Sequence, residues 1–119
     1  MEINEIRKDE ITIIAIEGRL DTTNYGLLEN KLMSLVDGGQ VKIIMDCSKM
    51  EYISSSGLRV FLLALKKIKI MKGRFIVSDL QETIREIFEI AGFSSIFEIC
   101  KTKAEALDAI SLEVSRLES

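Results

Sequence analysis

The chain has 119 residues, of which 47% are apolar and 29% are charged, and its formal net charge is −3. That length fits a single domain with one hydrophobic core, and the mixed composition is typical of an ordered globular protein. Acidic residues outnumber the dispersed lysines and arginines, so we expect no direct binding to nucleic acid.

The first two predicted elements are β-strands. Residues 2–7 alternate loosely around Ile3 and Ile6, and the stretch EITIIAIEGRL is rich in β-branched residues between Asp9 and Gly18. Buried strands have this composition. We expect the two strands to pair as a hairpin through the short segment KDE.

An amphipathic helix is predicted next, within DTTNYGLLENKLMSLVDGG. Residues 21–23 offer side chains that can cap its start, and Gly38 and Gly39 offer a left-handed exit. The apolar residues at helical spacing are Tyr25, Leu28, Leu32, Leu35 and Val36.

A short strand and a long helix follow. The strand VKIIMDCS is predicted to end at Asp46, and the helix is predicted from about Ser56 to Lys72. This helix has apolar residues on more than one face, so we expect it to be the best-buried helix. Its main stripe consists of Leu58, Phe61, Leu62, Leu65 and Ile68.

Another strand and helix are predicted in RFIVSDLQETIREIFEIAG. RFIVSD is the strand, and Ser78 and Asp79 are predicted to cap the helix, which stops at Gly92. The segment SIFEIC is predicted to form a last edge strand. The apolar face of the helix consists of Leu80, Ile84, Ile87, Phe88 and Ala91.

A capping box, formed by Thr102 and Glu105, predicts the start of a terminal helix. Because strands alternate with helices along the chain, we predict an α/β fold with parallel central strands and an antiparallel opening hairpin. We expect one domain over residues 1–119, with a mixed sheet of four to five strands flanked by about four helices. The core stripe of the terminal helix is predicted at Leu107, Ile110, Val114 and Leu117.

The residue types argue against several kinds of active site. The chain has no histidine, so no Ser-His or Cys-His pair can form, and it has no Gly-rich phosphate loop. Cys47 and Cys100 are isolated, which favours a packing role over a metal site or a disulfide. No apolar run approaches the roughly 20 residues that span a bilayer, and the N-terminal segment lacks a signal-peptide pattern. We expect a cytoplasmic protein with no metal site and no membrane insertion.

Two loops are candidates for function. In sheets of this kind, functional residues gather beyond the carboxyl ends of the parallel strands. The loops EGRLDTTN and DCSKMEYISSSG could bring Asp21, Thr22 and Asp46 to one edge together with three serines. Asp21 and Thr22 fit either a helix cap or a contact with a partner. Asp46 fits a turn residue at the strand end or an organiser of the loop, and the structural role is favoured.

Ser54, Ser55 and Ser56 directly precede the long helix. A hydroxyl there can accept a hydrogen bond from an unpaired backbone N–H, and the residue types alone favour this capping role. The same place also suits a phosphate, because a helix N-terminus presents N–H groups and a partial positive charge. Gly57 adds room for a close backbone approach.

The stretch DCSKMEYISSSGLRVFL resembles the signature of anti-sigma factor antagonists, small bacterial proteins of the STAS domain family. In that signature, an Asp-x-Ser strand end leads to a Ser-Ser-Gly-Leu helix start. IEGRLDTTN resembles the family's Gly-x-Leu-Asp loop, and MKGRFIVSDLQETIREIFEIAGFSSIFEI with the helix at Ala106 and Leu107 resembles the rest of the domain. The resemblance covers essentially the whole chain and implies a mixed sheet flanked by helices, with no cofactor.

The resemblance also implies a partner-switching mechanism. The unmodified protein binds an anti-sigma factor that is also a serine kinase, and thereby frees a sigma factor. The kinase phosphorylates one serine of the antagonist and so releases itself, and a serine phosphatase resets the switch. The family's phosphoserine directly follows an aspartate, and that position is Ser55 here. Ser54 stands where the aspartate often stands, so Ser54 and Ser56 remain alternative acceptors.

The partner-binding residues are predicted around the same helix start. An alternative function is a non-catalytic STAS interaction module in a stressosome-like or transporter-associated assembly. An enzymatic role, such as nucleotide hydrolysis, has the least support because no phosphate loop or clear metal constellation is present. Besides Ser55, the predicted partner-binding residues are Asp21, Thr22, Ser54, Ser56, Gly57 and Leu58.

Overall fold

Five strands and four α-helices make up the part of the chain that the computed structural model describes, which is residues 1–118 with side chains for residues 1–111. The strands are β1 (Glu2–Lys8), β2 (Ile11–Leu20), β3 (Lys42–Ile53), β4 (Arg74–Ser78) and β5 (Glu98–Cys100). The helices are α1 (Tyr25–Asp37), α2 (Ser55–Ile70), α3 (Glu82–Ile90) and α4 (Lys103–Glu118), with a short 3-10 helix at Phe93–Ser95.

The strands form one mixed sheet in the order β1-β2-β3-β4-β5. β1 is antiparallel to β2, which confirms the predicted hairpin, and all other neighbours are parallel. Each parallel connection contains one α-helix, and the connection from β4 to β5 also contains the 3-10 helix. Because such crossovers are right-handed and proceed in one direction across this sheet, they place α1, α2 and α3 on the same face. The predicted α/β fold is therefore confirmed.

Two hydrophobic cores lie on the two faces of the sheet. On one face, strand residues such as Ile14, Met45 and Val77 pack against α1, α2 and α3. Cys47 belongs to this core, and burial raises the pKa of its thiol, which keeps it neutral and inert. The core under α4 consists of Ile11, Ile13, Ile44, Ile76, Ala106 and Ile110.

The third strand is longer than the sequence predicts. Its predicted end is Asp46, whereas the strand continues to Ile53. Asp46, opposite Ser78, is the last residue of β3 that pairs with β4, and beyond it β3 pairs with β2 alone. Two register shifts against β2 take up extra residues in this half of β3 and interrupt its apolar alternation. The prediction of a loop after Asp46 was wrong because the bulges remove the regular strand pattern.

Two helices begin later than their predicted caps. α1 follows Asn24 rather than residues 21–23, and the Asn24 side chain makes no capping hydrogen bond. α3 follows Gln81, because Ser78 still belongs to β4 and Asp79 adopts a left-handed backbone with φ of 59°. The predicted left-handed exit of α1 is confirmed at Gly39, where φ is 89°.

Within residues 1–118, no helix is both long and apolar enough to cross a membrane.

Most of the predicted apolar stripes are buried. Tyr25 and Ala91 are exposed. The predicted stripe residues that are only partly buried are Leu58, Leu62, Leu80, Ile87 and Leu107. Among the helices with fully described side chains, α2 buries the most residues, as predicted.

In α4, the Thr102 hydroxyl accepts a hydrogen bond from the Glu105 N–H at 3.1 Å. The Glu105 carboxylate accepts from the Lys101 N–H, so the capping box is only half formed. The predicted core residues Val114 and Leu117 lie outside the described side chains.

Candidate functional site

The loop after β2 and the start of α2 lie side by side at one end of the sheet. Leu20 and Ile53, the last residues of β2 and β3, are paired with each other. The Ser54 backbone N–H donates to the Leu20 carbonyl at 2.9 Å and extends this pairing into the loop. The loop of residues 21–24 and the helix start at residues 54–58 are therefore neighbours, as the sequence predicts.

Ser54 caps α2. Its backbone is extended, and its Oγ accepts a hydrogen bond from the Gly57 N–H at 3.2 Å. Its carbonyl accepts from the Leu58 N–H at 3.0 Å. The residue is only 8% exposed. The Ser54 hydroxyl therefore has a structural role, since it satisfies a backbone donor that would otherwise be buried without a partner.

Ser55 has different surroundings, although it is the next residue. It is exposed at the first position of α2, and its hydroxyl makes no hydrogen bond to any described residue. The first turn of α2 contains no acidic residue. The partial positive charge at this helix start favours a negative group here. Ser56 is partly buried, so Ser55 is the most accessible of the three hydroxyls.

Ser54→Ala is expected to lower the free energy of unfolding by about 1 kcal/mol, because the Gly57 N–H loses its acceptor. Ser55→Ala should change that energy by less than about 0.5 kcal/mol, because its hydroxyl has no described partner. Urea unfolding followed by circular dichroism measures both variants. Equal losses in the two variants would contradict the assignment of Ser54 as the cap.

Gly57 allows α2 to pack closely against the ends of the two strands. A Cβ atom at this position would lie 2.9 Å from side-chain atoms of Leu20 and Ile53, which are both buried. Gly57 is itself buried, and Leu58 is partly buried against the main core. Glycine at this position thus fixes the helix start relative to the sheet, and with it the direction in which Ser55 faces solvent.

Gly57→Ala is expected to destabilise the fold, because about 1 to 3 kcal/mol of overpacking outweighs the roughly 1 kcal/mol that alanine contributes inside a helix. Gly26→Ala in α1 is the matched control. No atom lies within 4 Å of a Cβ built on Gly26, so this variant should gain about 0.5 kcal/mol. Thermal unfolding midpoints should shift in opposite directions, and a rise for Gly57→Ala would show that the contact is not tight.

Asp21 organises the neighbouring loop. Its Oδ1 accepts from the hydroxyl and from the N–H of Thr23, the latter at 2.9 Å, and these bonds lower the pKa of the Asp21 carboxyl. The Asn24 side chain accepts from the Asp21 N–H at 2.9 Å and donates to the Arg19 carbonyl at 2.8 Å. Thr22 is exposed at the tip of the loop. Asp21 and Thr22 thus form a hydrogen-bonded turn before α1 rather than its cap.

Asp46 does not lie at this end of the sheet. It precedes Ile53 by seven residues of strand, which corresponds to about 23 Å. Its carboxylate accepts from the Ser48 N–H at 3.0 Å and lies 3.9 Å from the ammonium group of Lys103 on α4. The prediction that Asp46 shares an edge with the serines was wrong, because β3 does not end at Asp46.

Arg59 also lies near this helix start, and it is absent from the predicted site. This residue is exposed on α2, four positions after Ser55. A spacing of four places two side chains on the same face of a helix, so the signal was present in the sequence. The apolar stripe that predicts this helix lies on its buried side and does not include the exposed face with Arg59.

Comparison with known proteins identifies related sequences. The STAS domain family model matches residues 2–106. BtrV of Bordetella bronchiseptica, named as a candidate anti-sigma factor antagonist, is 33% identical over 116 residues, which cover 98% of this chain and 100% of BtrV.

Solved structures have the same fold. A structure from Thermotoga maritima, described as a candidate anti-sigma factor antagonist, matches with a TM-score of 0.88 and 23% identity over 92% of this chain and 94% of that one. The unphosphorylated form of the anti-sigma factor antagonist SpoIIAA matches with a TM-score of 0.75 and 20% identity over 92% of this chain and 98% of that one. The phosphorylated form of SpoIIAA from Bacillus matches with a TM-score of 0.74 and 22% identity over 92% of this chain and 99% of that one.

Proposed function

The chain belongs to the STAS domain family, and we propose that it is an anti-sigma factor antagonist that is switched by phosphorylation of Ser55. In its unmodified form it binds an anti-sigma factor with serine kinase activity, which frees a sigma factor. Phosphorylation of Ser55 by that kinase releases the complex, and a serine phosphatase restores the binding form. The protein is a substrate in this cycle and supplies no catalytic group.

Ser55 is proposed as the phosphorylated residue because adjacent serines have different surroundings. Ser54 is buried and caps α2, whereas Ser55 is exposed and its hydroxyl has no described partner. A kinase that modified Ser54 would have to remove the cap and expose a buried hydroxyl. Modification of Ser55 requires neither step, so this serine fits the proposed role better than its neighbours do.

The named relatives support the proposed class of partner. BtrV is named as a candidate anti-sigma factor antagonist, and this chain matches its entire length. SpoIIAA bears the same functional name and has structures in unphosphorylated and phosphorylated forms with the fold described above. Both relationships favour a protein that acts by binding, and the two forms of SpoIIAA favour regulation by a phosphate.

The geometry gives a physical reason for the release. A phosphate adds nearly two negative charges, and the start of α2 tolerates them because of its free N–H groups and its dipole. A partner that packs against the neutral Ser55 hydroxyl would have to desolvate this dianion. An unpaired charge in an interface can cost several kcal/mol, so the fold is retained while the complex dissociates.

Incubation with candidate anti-sigma kinases and ATP, followed by intact-mass and site-localised mass spectrometry, tests the proposal. We expect one phosphate, located on Ser55, and none on Ser55→Ala. A phosphate on Ser54 or Ser56 would refute the residue assignment. If no kinase modifies the protein and pull-downs recover a larger STAS assembly instead, the alternative function as an interaction module is correct.

A further inference from the structure

Ser55 and Arg59 form an exposed pair on one face of α2. Ser55 is the first residue of the helix and Arg59 is the fifth, so their side chains follow one another along the same face. Four residues of helix correspond to a rise of about 6 Å, a distance that an arginine side chain spans. Both residues are exposed, so neither has to leave the core to meet the other.

Arg59 differs from the other arginines with described side chains. Arg7 pairs with Glu5 and Arg85 with Glu89, while Arg19 lies over the Tyr52 ring. Arg74 forms an ion pair with Glu98. For Arg59, the described residues provide no hydrogen bond, ion pair or ring contact.

The surrounding sequence explains why Arg59 has no acidic partner. Residues 54–78 contain six lysines and arginines and no aspartate or glutamate. The positions one turn before and after Arg59 are Ser55 and Leu63, so no carboxylate can reach it along the helix. The fold therefore presents a guanidinium group one turn from the proposed phosphorylation site, and no side chain within residues 1–111 pairs with it.

We propose that Arg59 is the intramolecular partner of a phosphate on Ser55. This inference rests on the proposed function in one respect, namely that Ser55 is the residue that is modified. Guanidinium groups bind phosphate oxygens through two parallel hydrogen bonds, and an anion that precedes a cation by four residues has the favourable order in a helix. Arg59 acts as a positioning residue, because it holds the phosphate against the first turn of α2.

The pairing makes the modification change two groups at once. In the unmodified protein, Arg59 pairs with no described residue and lies exposed on the face that begins at Ser55, where an acidic group of a partner can reach it. In the phosphorylated protein, the same guanidinium group is occupied by the phosphate. Phosphorylation thus removes a positive contact from this face in addition to introducing a negative one.

Phosphoserine can be installed at position 55 by genetic encoding, and its second ionisation can be followed by ³¹P NMR titration. A nearby cation stabilises the dianion and lowers this pKa from its ordinary value of about 6. We expect Arg59→Gln to raise the phosphoserine pKa by about 0.3 unit or more relative to the otherwise unchanged protein, which is roughly a twofold change in the dissociation constant. Arg59→Lys should restore part of the difference.

Lys66→Gln is the matched control, because it removes a positive charge from the same helix. Lys66 lies too far from position 55 for its side chain to reach the phosphate. It should leave the phosphoserine pKa within about 0.1 unit of the unsubstituted value. Equal pKa values with and without Arg59, or an equal rise in Lys66→Gln, would overturn the pairing. Circular dichroism of each variant without phosphoserine confirms that the fold is intact.

The encoded phosphoserine separates this inference from the proposed function, since no kinase is needed to install it. A lowered pKa that depends on Arg59 supports the pairing even if no anti-sigma kinase modifies Ser55. Conversely, phosphorylation of Ser55 by a kinase, with no dependence of the pKa on Arg59, would retain the proposed function and refute the pairing.

Discussion

Ser55→Asp is expected to weaken binding to the kinase partner by about a hundredfold or more, while the circular dichroism spectrum remains that of the native protein. The substitution places a charge at an exposed position on the first turn of α2, where the helix dipole favours an anion. Folding therefore tolerates the charge. The partner has to desolvate it, and each tenfold loss of affinity corresponds to only about 1.4 kcal/mol.

Aspartate reproduces phosphoserine only in part. It carries one charge where the phosphate carries nearly two, and it offers two acceptor oxygens to Arg59 where the phosphate offers three. The encoded phosphoserine protein should therefore bind more weakly than Ser55→Asp. Ser55→Ala should bind as the unmodified protein does and should resist phosphorylation. Isothermal titration calorimetry with one purified partner compares all of these forms.

Ser111→Asp provides the control for added charge alone. Ser111 is exposed on α4, which packs against the opposite face of the sheet from α2. This variant should bind the partner with unchanged affinity. If phosphorylated and unmodified proteins bind equally well, the switch mechanism fails. A loss in Ser111→Asp as large as that in Ser55→Asp would mean that net charge, rather than position, governs binding.

Patterns of apolar residues were sufficient to predict the order and type of the elements. The hairpin, the crossover helices and the edge strand β5 are all present. Each crossover helix buries apolar residues whose helical spacing is visible in the sequence. The second half of β3 was missed for a physical reason. This half of β3 is not paired with β4, and its bulges permit polar residues such as Ser48 and Lys49 within a strand.

The site was predicted at the level of the loop but not at the level of each hydroxyl. Three adjacent serines before a helix are equivalent in sequence, and only the position of the first helical residue decides which one caps. The pairing of Ser54 with Leu20 across the strand ends fixes that position. The contact is 34 residues apart in the chain, so no local pattern could reveal it. Gly57 has a similar explanation, since its close neighbours Leu20 and Ile53 come from two different strands.

Phe61→Ala is expected to produce the largest loss of stability, about 3 to 5 kcal/mol. Phe61 is fully buried at the centre of α2, and its ring lies 6.1 Å from Phe75, 6.0 Å from Phe88 and 6.5 Å from Phe97, measured between centroids in edge-on arrangements. The substitution removes the ring and leaves a cavity between α2, β4 and α3. Because a typical domain has only about 5 to 15 kcal/mol of stability, a large part of the total would be lost.

Leu62→Ala, at the next position of α2, is the matched control for Phe61→Ala. Leu62 is only partly buried, so we expect its truncation to cost about 1 kcal/mol, well below the cost at Phe61. Chemical denaturation of both variants measures the difference, and equal losses would show that the aromatic cluster does not dominate this core.

Phe61 also lies on the helix that presents Ser55 and Arg59, six residues from Ser55 and two from Arg59. At temperatures where the folded Phe61→Ala variant still predominates, it should bind the partner normally, because Phe61 stabilises the helix from its buried side and leaves the exposed face unchanged.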